Sequence, residues 1–196
     1  MSPAALRLFV AIPIPEAVRS ELAGVQNELR PLAAPRDVRW TPPAQLHLTL
    51  KFLGSVPEER LDTVKKSLAG ACAGASPFWL RAQGIGFFPG LRATRVIWAG
   101  FHDDLNALPG LQSKVEESLA PFAENVRSEK FLPHATLGRF QKYRLYKTEK
   151  LLPRALAFAD RVFGEWQVEG VSLFRSELSP EGARHSLLGE FTLGAG

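Results

Sequence analysis

The chain has 196 residues, 45% of them hydrophobic and 22% charged, which is the balance of an ordinary globular protein and excludes a disordered one. Cys72 is the single cysteine, which excludes an internal disulfide framework and suits a reducing compartment, so a cytoplasmic protein is expected. The net charge of +4 leans toward an anionic partner such as RNA or a nucleotide, without separating that from a plainly solvated basic surface.

From the N-terminus, RLFVAIPI (Arg7–Ile14) reads as a short buried strand ended by prolines. It is too short and proline-broken for a signal peptide. No run approaches the roughly 18 apolar residues of a membrane helix, so no membrane association is expected. Pro15 suits a helix start, and Val18, Leu22, Val25 and Leu29 recur at helical spacing. After the breaker PLAAPRD, Leu46–Leu53 reads as a strand carrying polar residues. Pro57 opens a second helix, with acids in its first turn and lysines later, as the helix dipole favours.

FWLRAQGIGFF and TRVIWAGF follow as strands joined by the turn at Pro89-Gly90, and a third helix is expected over Leu105–Phe122 despite Pro109. His134–Phe140 is a second polar-bearing strand. Gln141–Arg161 is basic and irregular, with a short helix around Leu151–Phe158. WQVEGVSLFRSEL and HSLLGEFTL finish the chain as two strands separated by the connection SPEGARH. The mixture lacks the regular alternation of a doubly wound parallel sheet. It predicts one α+β unit over 1–196 with an internal two-fold arrangement of lobes.

The two polar-bearing strands share a pattern. Strand side chains alternate faces, so His47, Thr49 and Lys51 point one way and Leu48, Leu50 and Phe52 the other; His134 and Thr136 likewise oppose Ala135 and Leu137. Two of four histidines followed two places on by threonine would arise in roughly 1% of shuffled sequences. A lone strand histidine is ordinarily a satisfied core or surface residue, but the duplication points to chemistry.

Two near-neutral imidazoles can supply a base and an acid, as phosphodiester cleavage requires. Threonine hydroxyls can donate to the non-bridging phosphoryl oxygens. A zinc site is the rival reading. It is weakened because a catalytic zinc ordinarily has three protein ligands, and no Cys, Asp or Glu stands beside either motif. No G-x-S-x-G elbow and no G-x-x-x-x-G-K-[ST] loop occurs.

The paired motifs HLTL (His47–Leu50) and HATL (His134–Leu137) resemble the H-x-T-x signature of the 2H phosphoesterases. RLFVAIPIP, LHLTLKFLG, TRVIWAG, PHATLGRF and VSLFRSEL appear in the order seen in the RNA 2',3'-cyclic phosphodiesterases, also called 2'-5' RNA ligases. The resemblance implies a bilobal α+β fold in which two antiparallel sheets, related by a pseudo-two-fold, line a central cleft with helices outside. It also implies metal-independent, cofactor-free hydrolysis of a 2',3'-cyclic phosphate at an RNA 3' end to a 2'-phosphate, and reversible 2'-5' ligation. His47 would then be the proton donor and His134 the proton acceptor, with Thr49 and Thr136 holding the phosphate.

The family's arginine three residues after the second threonine is matched by Arg139, which strict alternation puts on the face opposite His134. His185 stands where the family often has a tyrosine. Arg139, Lys51 and Trp40 are candidate substrate contacts, whereas periodicity makes Phe9 and Phe52 core residues. The run QKYRLYKTEK has a claim on the RNA backbone. The expected partner is RNA with a cyclic-phosphate end, tRNA fragments among the candidates by family association, met by a monomer. Two alternatives stay open: a non-catalytic RNA-end-binding module, and a 2H enzyme acting on small cyclic nucleotides or 2'-5' oligonucleotides.

Overall fold

Twice along the chain a strand runs into a helix, and the chain then returns in a strand that begins with histidine. First, β1 (Ala5–Pro13) leads to α1 (Glu16–Leu29) and, past the short β2 (Val38–Trp40), to β3 (His47–Pro57). Then, after α2 (Leu61–Ala73) and β4 (Phe78–Phe88), β5 (Val96–His102) leads to α3 (Ala107–Leu119) and β6 (His134–Phe140). A short helix α4 (Leu151–Leu156) and strands β7 (Val162–Val168), β8 (Gly170–Ser179) and β9 (Gly182–Thr192) follow. The computed structural model describes residues 5–34, 36–124, 130–141, 149–179 and 182–194.

The helices follow their apolar spacing: α1 buries Val18, Leu22, Val25 and Leu29, and α3 buries Leu108, Leu111, Val115 and Leu119. Pro109 is tolerated as the third residue of α3, where its missing N–H would have no intrahelical partner. Pro57 instead ends β3, and one tight turn (Glu58–Arg60) intervenes before α2.

The strands form two antiparallel sheets, ordered β3-β1-β8-β9 and β2-β6-β5-β4-β7. This is the α+β architecture that the sequence predicts. Each sheet thus sets an H-x-T-x strand beside the strand that precedes it by one helix, β1 with β3 and β5 with β6. The helices cross over: α1, from the first unit, packs on β7 and α4, whereas α3, from the second, packs on β3 and α2. Buried residues of both sheets and all four helices join in one apolar cluster, from Leu8 and Val10 through Leu48 and Leu50 to Ala135 and Leu137.

Three details depart from the sequence reading. WQVEGVSLFRSEL is two strands broken at Glu169, β7 in the five-stranded sheet and β8 in the four-stranded one. The three-residue β2 is too short to leave a periodic signal. Finally, β9 starts at Gly182, three residues before His185, where the last strand is expected to begin.

Candidate active site

His47 and His134 open their strands and are held in the same way. His47 Nδ1 is 2.7 Å from the Gln45 carbonyl, and His134 Nδ1 is 2.7 Å from the Leu132 carbonyl, each two residues back. A carbonyl oxygen only accepts, so Nδ1 carries the proton in both rings and Nε2 keeps the lone pair when the ring is neutral. The rings are near enough for charge on His134 to depress the pKa of His47.

Both motif strands carry a β-bulge at the same place. On β3, Thr49 pairs with Ala11 and Lys51 with Val10, leaving Leu50 as the extra residue. On β6, Thr136 pairs with Trp98 and Gly138 with Ile97, leaving Leu137 extra. A bulge reverses the alternation beyond it.

Lys51 therefore shares the core face with Leu48 rather than the His47 face, and its side chain is 3% exposed in an ion pair with Glu116 of α3. Phe52 turns instead to the face of Phe9 and Thr49 and is 56% exposed, so it is not the core residue that alternation predicts. On β6, Arg139 pairs with Val96 and Thr136 with Trp98. Because Val96 and Trp98 are two apart on β5, Arg139 lies on the His134–Thr136 face. The bulge removes the obstacle that strict alternation raised.

Each bulge is tied to the helix that crosses over to its sheet. Gln26, 1% exposed on α1, donates from Nε2 to the carbonyls of Leu137 and Thr41, both at 2.8 Å. The Thr41 N–H also reaches the Leu137 carbonyl, at 2.9 Å. On the other lobe Glu116 of α3 holds Lys51. Sequence reasoning missed Gln26; a polar residue on the apolar stripe between Leu22 and Leu29 was its signal.

The surroundings differ between lobes. Phe9 lies at the centre of an aromatic floor, its ring centroid 4.9 Å from His47, 5.6 Å from Phe52, 5.2 Å from Phe174 and 4.9 Å from His185. It is buried as expected, but against the cleft histidines. Burial is the largest cause that lowers His47 from 6.5 to about 4; the Gln45 carbonyl opposes it, and His185 and His134 add to it. His134 meets Phe88 edge-on at 4.8 Å and Trp98 at 6.3 Å. Trp98 lies flat over Gly86, where a Cβ would come within 2.1 Å of the indole, so only glycine fits.

Trp40 is not brought to this cleft face. It pairs with Gly138, on the side opposite Arg139, and lies under the Arg30 guanidinium at 5.8 Å. Its neighbour Arg39 pairs directly with Arg139, which sets two arginines side by side on the His134 face. Of QKYRLYKTEK, residues 142–148 lie outside the described residues. Among the described residues no three His, Cys, Asp or Glu side chains gather as a metal site, and no helix is long and apolar enough to cross a membrane.

Two sheets, each presenting a histidine and a threonine from a bulged strand, define a phosphoesterase of the 2H class. The chain matches the model of the LigT-like phosphoesterases over residues 12–98 and 104–185. It is 37% identical to an RNA 2',3'-cyclic phosphodiesterase of Thermus thermophilus, over 96% of this chain and 90% of that protein. It is 30% identical to one from Methanocaldococcus jannaschii, over 95% and 100%. A solved Thermus thermophilus structure is 35% identical and superposes with a TM-score of 0.76, covering 96% of this chain and 98% of that one. Escherichia coli LigT complexed with 3'-AMP shares the fold, at 23% identity and a TM-score of 0.75, over 97% and 99% of the two chains. The chain belongs to the LigT-like phosphoesterase family.

Proposed function

We propose that this enzyme is an RNA 2',3'-cyclic phosphodiesterase that opens the cyclic phosphate at an RNA 3' end to a 2'-phosphate, with His47 as proton donor and His134 as proton acceptor. Water attacks phosphorus as His134 Nε2 takes its proton. The P–O3' bond breaks, and O3' leaves with the proton from His47 Nε2. Thr49 and Thr136 donate to the non-bridging oxygens, where charge accumulates. Arg139 lies on the same face to meet the RNA backbone.

The single observation that carries this reading is the mirrored Nδ1–carbonyl hydrogen bond, which leaves each Nε2 for proton transfer. The division of roles has physical support as well. His47 sits in the apolar floor around Phe9, whereas His134 shares its face with Arg139. Burial lowers His47 to about 4, so the neutral ring is favoured at pH 7. The anionic substrate supplies the counter-charge that favours its protonated form.

The curated relatives named above support the substrate class. End-group analysis of cyclic-phosphate RNA after incubation is the test. A 2'-phosphate product is expected; a 3'-phosphate refutes the regiochemistry, and binding without turnover refutes the enzyme.

A further inference from the structure

The cleft contains a third histidine that the two-motif chemistry leaves without a task. His185, on β9, pairs with Ser176 of β8, two residues along and on the same face as the pairing of Phe174 with Leu187. Its ring stands edge-on to His47, centroids 5.4 Å apart at 87°, and edge-on to Phe9 at 4.9 Å. Its Nδ1 is buried and meets no hydrogen-bond partner. The Arg184 backbone favours a proton on the ring but does not reach Nδ1 at hydrogen-bond distance. An N–H buried without an acceptor costs more than an unused lone pair, which favours the neutral tautomer with its proton on Nε2. In that tautomer His185 is a donor at Nε2 beside the two acceptors.

We propose that His185 is a third substrate-contacting histidine, its Nε2–H donating to an oxygen of the phosphate held at His47. The span fits. An oxygen bonded to His47 Nε2 lies about 2.8 Å from it, and a second oxygen of the same phosphate can face a ring whose centre is 5.4 Å from that of His47. Burial lowers the His185 pKa, with the Arg184 backbone opposing, which keeps the ring an uncharged donor near neutral pH. An uncharged donor is what this position requires. It adds a hydrogen bond to the anion without placing a second full positive charge against a protonated His47. Of the groups in contact with the ring or paired with its residue, Phe9 and Ser176 cannot ionise to compete for that role, and His47 is the titratable ring in contact with it.

The inference rests on the phosphodiesterase reading for its substrate, but its test has an arm that does not. Inorganic phosphate is titrated into the wild-type protein while the imidazole nitrogen resonances are followed. The His185 Nε2 resonance is expected to move with the same dissociation constant as that of His47. His185→Phe, which keeps the ring on Phe9, is expected to weaken phosphate binding and lower kcat/KM on cyclic-phosphate RNA about 10- to 100-fold, the worth of a hydrogen bond to an anion. His185→Gln, which restores an N–H at the Nε2 position, is expected to recover most of that loss. A packing role predicts the reverse, with Phe tolerated and Gln not. A His185 resonance that phosphate does not move, or a Phe variant equal to wild type, overturns the proposal. If the wild type moves His185 on phosphate addition but leaves cyclic-phosphate RNA intact, the contact stands and the proposed reaction falls.

Discussion

β3 and β6 carry the same machinery in unlike surroundings. Both begin with a histidine tied by Nδ1 to a carbonyl two residues back, both place threonine two residues on, and both bulge at the next residue. Beyond the bulge they diverge. β3 turns Phe52 toward the cleft and buries Lys51 against Glu116; β6 turns Arg139 outward and puts Gly138 beneath Trp40. One lobe is an apolar floor that disfavours a charged histidine, the other a face that carries Arg139 and Arg39. A two-fold backbone repeats positions of atoms, and the side chains around them set how each proton-transfer group behaves.

Removing the histidines should have the largest effect. His47→Ala and His134→Ala should each lower kcat/KM about 1,000-fold without unfolding the protein, and equal losses would show that the lobes share the chemistry evenly. The His134→Gln background sharpens this, because the remaining turnover then reports His47 alone. In its proposed role as proton donor, His47 should make log kcat/KM fall as pH rises above about 4. A rise through pH 4 to a plateau would reverse the two roles.

The bulge anchors should separate the lobes next. Gln26→Leu strips one donor each from the Leu137 and Thr41 carbonyls and should cost about 2 kcal/mol in denaturant unfolding. Its KM for RNA should rise, because Thr136 and Arg139 flank that bulge. Lys51→Met leaves Glu116, which is 27% exposed and can be hydrated, so about 1 kcal/mol is expected, with KM unchanged. A KM defect in Lys51→Met would mean that the β3 bulge also positions substrate.

The last effect is in the pH dependence of stability. The folded pKa of His47 lies below its ordinary 6.5, so the unfolded chain binds that proton more readily. Its contribution is full above pH 6.5 and is lost as pH falls toward 4. Thermal unfolding of His47→Gln should lack this part of the acid dependence, and an unchanged slope between pH 6.5 and 4 would contradict the burial of His47.

Much of this was legible in the residues. The α1 stripe, the strands at Phe78–Phe88 and His134–Phe140, and the duplicated histidine–threonine pairs follow from side-chain periodicity, which is local and needs no tertiary contact. Lys51, Phe52 and Arg139 did not follow. Each lies just past a bulge, and one inserted residue exchanges the two faces of a strand without altering its composition. What Gln26 and His185 meet was illegible for a different reason: their partners are 111 residues away in sequence at Leu137 and across β1 and β8 at His47.

By itself, then, the sequence determined the duplicated histidine–threonine pattern and most of the segments that are strands, since both depend on residue type and short-range spacing. Only the tertiary structure decided which face each residue beyond the motif presents, that burial lowers the pKa of His47, and that a third histidine stands beside it. Those properties come from strand register, burial and the crossing of helices between sheets, which no single segment encodes.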